Sequence, residues 1–188
     1  VLNGTTPLFS FIIATVWLKL NTNLVQLMGI LIGIIGLVIF VGYESLEFSL
    51  FALMLCLGAS FLYAFSSNFI FKTQSIDATY LAAMTLLFAT FLVFPFTFLE
   101  TGLHLNHSNE VLLSVFLLGF ACTGLAYMGY VVLIKRAGPV RASTVVLIVP
   151  ISGMLWANLF LNEVITLTML LGCLLIITGA VSYTHLRA

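Results

Sequence analysis

The side chains able to do chemistry at depth in this sequence are neutral ones. No Asp, Glu, Lys, Arg or His falls in the middle of any long apolar run; hydroxyls, phenols, amides and indoles do. Such groups can hydrogen-bond a passing solute or a neighbouring helix, but they cannot supply the paired acid and base of a membrane enzyme. Thr123, Tyr127 and Tyr130 are spaced by four and three, which puts a hydroxyl and two phenols on one helical face, Tyr127 the deeper of the tyrosines. Ser152 and Trp156 share a face, with Asn158 nearby. An amide in lipid is costly unless paired, so Asn158 either lines a path or bonds another helix. Pro150 has no N–H, so the carbonyl of Val146 loses its helix partner and a bend or an open acceptor follows. Earlier in the chain, Tyr63 and Asn68 (beside Ser66 and Ser67), and Thr6, Ser10 and Trp17, are further candidates. They are weaker, because Ser and Thr commonly bond back to their own helix. Cys56, Cys122 and Cys173 lie inside apolar runs and read as small core residues, while His104 and His107 stand in a polar link and read as solvated. Neither metal nor cofactor is expected.

These groups must be held by helices in a bilayer. Hydrophobic residues make up 62% of the 188 positions and charged ones 6%, with zero net charge and a mean hydropathy of +1.25. A soluble domain is roughly a quarter charged, so the solvent for most of this chain is lipid. There is no basic tract for nucleic acid. Seven apolar runs follow one another, at about 2–18, 24–42, 50–71, 79–99, 111–134, 142–161 and 165–183. Each approaches the roughly 17–25 residues a helix needs to cross, and none alternates as a barrel strand would. With seven crossings, Lys19, Lys72, Lys135, Arg136, Arg141 and Arg187 fall on one side, and Glu44, Glu47, Glu100, Glu110 and Glu163 on the other, with Asp77 the lone acid among the bases. The basic side, with the carboxy terminus, is expected in the cytoplasm.

An internal repeat sets the frame. Pro7 and Gly29 are 22 apart, as are Pro150 and Gly172, and an offset of 143 also pairs Ala14 with Ala157, Leu18 with Leu161, Leu24 with Leu167 and Gly36 with Gly179. Proline and glycine answer to backbone needs, so their agreement says more than the leucines do. The offset carries the first and second runs onto the sixth and seventh, a step of five, so matched helices cross in opposite directions. Inverted repeats of this kind let two halves exchange inward-open and outward-open shapes. A five-helix period implies that three helices precede Val1, and the chain opens inside an apolar run without a methionine.

The stretch TGLAYMGYVVLIKRAGPVRAS from Thr123, followed by VPISGMLWANLFLNE and the spaced glycines Gly172 and Gly179, resembles the EamA-type family of the drug/metabolite transporter superfamily. The resemblance covers essentially Val1 to Tyr183. It implies an all-α polytopic membrane protein of ten helices in two inverted halves: residues 1–42 would be the last two helices of the first repeat, 43–184 a complete second repeat, and 185–188 a tail that is not necessarily native. It also implies a central path lined by the first, fifth and sixth runs. One position departs from the pattern: the sixth run ends Leu161-Asn162-Glu163, the first Leu18-Lys19-Leu20. The expected function is a secondary transporter of small organic metabolites such as amino acids, working by alternating access in a bacterial inner membrane, and not an enzyme. The expected partners are a small-molecule substrate and the lipid bilayer, with a second copy of the chain left open. The alternatives are a non-transporting membrane subunit and a seven-helix receptor-like protein; the last run lacks a lysine for a retinal Schiff base.

Overall fold

The structure, a computed structural model, describes residues 2–21, 23–41, 50–98 and 108–184, and those residues form helices and short connections with no strand among them. The helices are α1 (Thr6–Val16), α2 (Leu24–Val41), α3 (Leu50–Lys72), α4 (Ala78–Val93), α5 (Asn109–Leu117), α6 (Ala126–Ala137), α7 (Pro139–Ser143), α8 (Val145–Leu161) and α9 (Leu167–Thr184). Among the described residues, five stretches are long and apolar enough to cross a membrane: Leu24–Val41, Leu50–Lys72, Ala78–Phe98, Asn109–Ala137 and Pro139–Leu161. An all-helical membrane protein follows from them. Seven crossings do not follow on length alone. The 11 residues of α1 rise only about 16 Å, against a hydrocarbon core of about 30 Å. With 18 residues, α9 matches α2 in length. Glu44, Glu47, Glu100, His104, His107 and Arg187 lie outside the described residues.

Local chemistry explains where the helices depart from the expected runs. The fourth run tightens into a 3-10 turn over Phe94–Phe98, where Pro95 withdraws a donor. The fifth is not one α-helix: Leu118–Leu125 is a π-helical segment between α5 and α6. The sixth is divided at Thr144, and Gly138, at φ 90°, turns the chain into α7. Asp77 caps α4, accepting from the Thr79 and Tyr80 N–H groups. Those bonds, Tyr80's foremost, hold its carboxyl below the usual carboxylate range.

The chain forms two compact units, one of Val1–Lys72 with Ala137–Ala188, the other of Thr73–Arg136. In the first, α2 lies along α9 through glycines. A Cβ built on Gly179 would stand 2.5 Å from the Gly29 carbonyl oxygen and 2.7 Å from the Gly33 nitrogen; one on Gly36 would stand 2.9 Å from the Gly172 carbonyl oxygen and 2.8 Å from the Ile176 nitrogen. The pairing runs antiparallel, since the early part of α2 meets the late part of α9. It is also self-complementary. Adding 143 turns Gly29, Gly33 and Gly36 into Gly172, Ile176 and Gly179, so each contact is the image of the other. Four of the five buried positions on α2 obey the same offset: Gly29, Ile30, Gly33 and Gly36 match the buried Gly172, Cys173, Ile176 and Gly179 on α9, while Leu37 matches the half-buried Ala180. Small residues let the backbones meet, the packing that membrane helices favour.

Two apolar clusters hold the rest of this unit. Ala14, Ile30 and Val140 join α1, α2 and α7, and Leu37, Leu147 and Ile176 join α2, α8 and α9. In the second unit the Lys135 ammonium donates to the Thr73 carbonyl at 2.9 Å and to the Ile76 carbonyl, while the Gln74 side chain donates to the Lys135 carbonyl. A lysine whose position reads as topogenic is therefore also a clamp on the connection into α4. Large apolar side chains elsewhere are open, Phe91 and Leu24 at 77%, as expected of helices whose solvent is lipid.

Candidate functional site

The polar candidates fall into three groups, two in the first unit and one in the second. The first is a seam between α1 and α3. Thr6, Ser10 and Ala14 recur every four residues on α1; Ser60, Ala64 and Asn68 do so on α3, and all six are buried. This small-residue stripe closes the helices onto each other. Asn68 Nδ2 donates to the Ala64 carbonyl at 2.8 Å, to Ser10 Oγ at 3.1 Å and to the Ser10 carbonyl at 3.4 Å. Thr6 donates to the Asn3 carbonyl and Ser60 to Asn3 Oδ1. Asn68 Oδ1 is buried with no partner. The seam holds helices together and leaves no opening at these residues for a solute.

Every acceptor facing the Asn68 amide is an oxygen, so its replacement has a definite order of effects. Asn68→Ala is expected to cost on the order of 1 kcal/mol, the range for one interhelical bond in lipid. Asn68→Asp is expected to cost more, because a carboxylate would face two backbone carbonyls. Thermal unfolding in detergent measures both, and an Asp variant as stable as the Ala variant would contradict the assigned bonds.

The second group lines a cavity of about 290 Å³ between α2, α8 and the start of α9. Pro150, Gly153, Met154 and Ala157 face it from α8, Phe40 from α2, and Glu163 and Met169 from the other side. Positions 150, 153, 154 and 157 are one helical face. Ser152 and Trp156 lie on another; Ser152 donates to its own helix at Val149, and Trp156, 59% exposed, stacks on Phe160 at 5.4 Å. Asn158 donates to the Glu163 carbonyl at 2.7 Å, and Asn162, at φ 54°, ends α8 in the left-handed conformation. Together they fold the α8–α9 connection back over the cavity. By sequence Glu163 is one of the link acids on the side opposite the basic residues, and nothing singles out Met154, Met169 or Phe40. The signal available was the left-handed asparagine stop just before Glu163, which returns the chain towards Pro150.

The third group belongs to the second unit. Thr123 sits in the π-helical segment and donates to Leu118 five residues back, at 3.0 Å. Tyr127 and Tyr130 follow on α6, both half-buried. A π segment widens the helix locally and is frequent at functional sites. Tyr63 on α3 is 60% exposed, and Trp17, past the end of α1, stacks on Phe65. No group of three or more His, Cys, Asp or Glu that could hold a metal occurs among the described residues.

Comparison with known proteins agrees with this all-helical reading. The family model for EamA-like transporters matches residues 50–184. The chain is 27% identical over 184 residues to the uncharacterized transporter YoaV of Bacillus subtilis, covering 95% of this chain and 63% of that protein. It is 20% identical over 177 residues to the uncharacterized transporter YvbV of the same organism, covering 92% and 58%. An uncharacterized transporter in the sor 3′ region of Acidianus ambivalens is 33% identical over 94 residues, or 50% of this chain and 37% of that one. The chain thus spans about three-fifths of the length of the two Bacillus relatives. No solved structure matches it significantly.

Proposed function

The chain belongs to the EamA-like transporter family, and from that premise we propose that it is part of a secondary transporter of small organic metabolites, amino acids among them, working by alternating access. The observation that carries the mechanism is the α2–α9 contact, whose two halves are images under the 143-residue offset. Helices related by an in-plane pseudo-twofold axis can exchange environments when a bundle rocks, and the bundle then opens to the other side. On this reading residues 1–42 close a first five-helix half and 43–184 form the second, giving seven crossings here and ten in the whole protein. The short α1 would cross by local thinning or by the shelter of neighbouring helices. The clustering of basic positions supports a cytoplasmic carboxy terminus, and the membrane proposed is a bacterial inner membrane.

Substrate contact is assigned first to the cavity beside Pro150. Pro150, which brings no N–H to its helix, borders that cavity, and irregular backbone at depth is tolerated where it lines such a space. Thr123, Tyr127 and Tyr130, on and beside the π segment, form the second proposed contribution.

The test is flux. The full-length protein in proteoliposomes, given labelled amino acids, nucleosides and organic cations in turn, is expected to move at least one class saturably. No flux for any of them, beside a stoichiometric protein partner, would make it a subunit instead.

A further inference from the structure

Away from that cavity, α1 and α3 enclose a second recess of about 300 Å³. Its walls are wholly apolar: Ile12, Ile13, Val16, Trp17, Phe61 and Phe65. Most of these side chains are open on one side, Val16 at 74% and Phe61 at 45%. Trp17 and Phe65 stack in parallel, 5.2 Å apart and inclined by 8°, forming a flat aromatic wall. The Lys72 ammonium stands over the Trp17 ring, 4.8 Å from its centroid.

The position of these groups along the helices matters. Trp17 directly follows α1 and Lys72 is the last residue of α3, so indole and ammonium share one end of the groove. Tryptophan and lysine at helix ends settle at the depth where acyl chains give way to headgroups. The aromatic face keeps the ammonium at the groove's end, so less of its freedom is lost when an anion arrives. Lys72 is exposed, and no carboxylate of the described residues is paired with it. Lys19, exposed two residues past Trp17, adds a second positive charge to the same helix end.

We propose that this groove is a binding site for an anionic phospholipid, one acyl chain lying along Ile12, Val16, Phe61 and Phe65, and the phosphate meeting Lys72. The apolar walls offer nothing to a soluble anion, while the cation at their end gives nothing to a bare hydrocarbon. An anionic lipid satisfies both. A zwitterionic lipid supplies the same chain, but its own cation opposes Lys72. The site requires only that α1 and α3 stand in a bilayer and does not depend on the transport reading.

Quenching by brominated lipid reads this site directly. In the full chain with Trp156→Phe, and any tryptophan outside these residues likewise replaced, Trp17 is the only emitter. Dibromo-phosphatidylglycerol is expected to displace phosphatidylcholine from Trp17 about fivefold more effectively than dibromo-phosphatidylcholine does, the factor for one basic residue near the surface. Lys72→Gln is expected to bring the two lipids close to parity, Lys72→Arg to retain the preference, and added salt to weaken it. Equal quenching by both lipids in the single-tryptophan protein with Lys72 in place would overturn the proposal. So would a preference that survives Lys72→Gln. Quenching by neither would mean that protein, not lipid, covers the groove, and would overturn it too.

Discussion

Gly179→Leu is expected to abolish recovery of folded protein, and Gly179→Ala and Gly36→Ala to destabilise it by nearly equal amounts, on the order of 1–3 kcal/mol each. The reason lies in what a new methyl group would meet. At Gly179 the nearest atoms are the Gly29 carbonyl oxygen and the Gly33 nitrogen; at Gly36 they are Leu175 Cβ at 2.7 Å, the Ile176 nitrogen and the Gly172 carbonyl oxygen. Nearly all of these belong to backbone, and backbone cannot move aside by changing rotamer. The helices must separate, and the dispersion contacts along the whole seam weaken with them. Equality is the informative part. Because the two contacts are images under the offset, substitution of either mate should have the same effect. Gly58→Ala supplies the control: its Cβ would meet nothing within 4 Å, so only the favourable change in helix propensity remains. Thermal unfolding in detergent, followed by size-exclusion chromatography, measures the series. A neutral Gly36→Ala beside a damaging Gly179→Ala would show that the seam is not self-complementary.

Met154→Trp is expected to lower flux at least about tenfold, equivalent to about 1.4 kcal/mol of barrier, with little change in the amount of folded protein. Met154 faces the cavity beside Pro150, and an indole there would occupy much of its roughly 290 Å³. The residue lies opposite the α2–α9 seam's clash-prone glycines in character: it borders open space, so added volume need not displace a helix. Ser152→Trp is the comparison, since Ser152 is exposed on a different face of α8 and bonds only to its own helix. Flux should persist in that variant. If instead Ser152→Trp stops transport and Met154→Trp does not, the path runs along the Ser152–Trp156 face, and the cavity is a packing defect.

The class of the fold was readable from the sequence because lipid exposure leaves a blunt mark, long apolar runs without charge. The 22-residue Pro–Gly spacing also carried information. It singles out α2 and α9 as proposed mates, and the structure packs these two against each other through the glycines of that spacing. Helix interiors were harder to read. A π segment at Leu118–Leu125 depends on hydrogen-bond register, which composition does not record. Asn68 stands near the end of its run, where its surroundings cannot be read from sequence, and it is buried by its pairing with Ser10, 58 residues away. On α8 the polar face attracted notice while the cavity lies on the face of Pro150, Gly153 and Met154. Apolar lining of a cavity and apolar lining of a core look the same until the neighbouring helix is placed.

The claim on which the account depends is that repeat-related helices cross the membrane in opposite directions. Asn23 and Thr166 are mates under the offset and stand just before α2 and α9. Single cysteines at these positions, in an otherwise cysteine-free full chain in sealed, oriented vesicles, can be labelled with an impermeant maleimide. The account predicts that one is labelled from outside and the other only after the membrane is permeabilised. Labelling of both from the same side would contradict it.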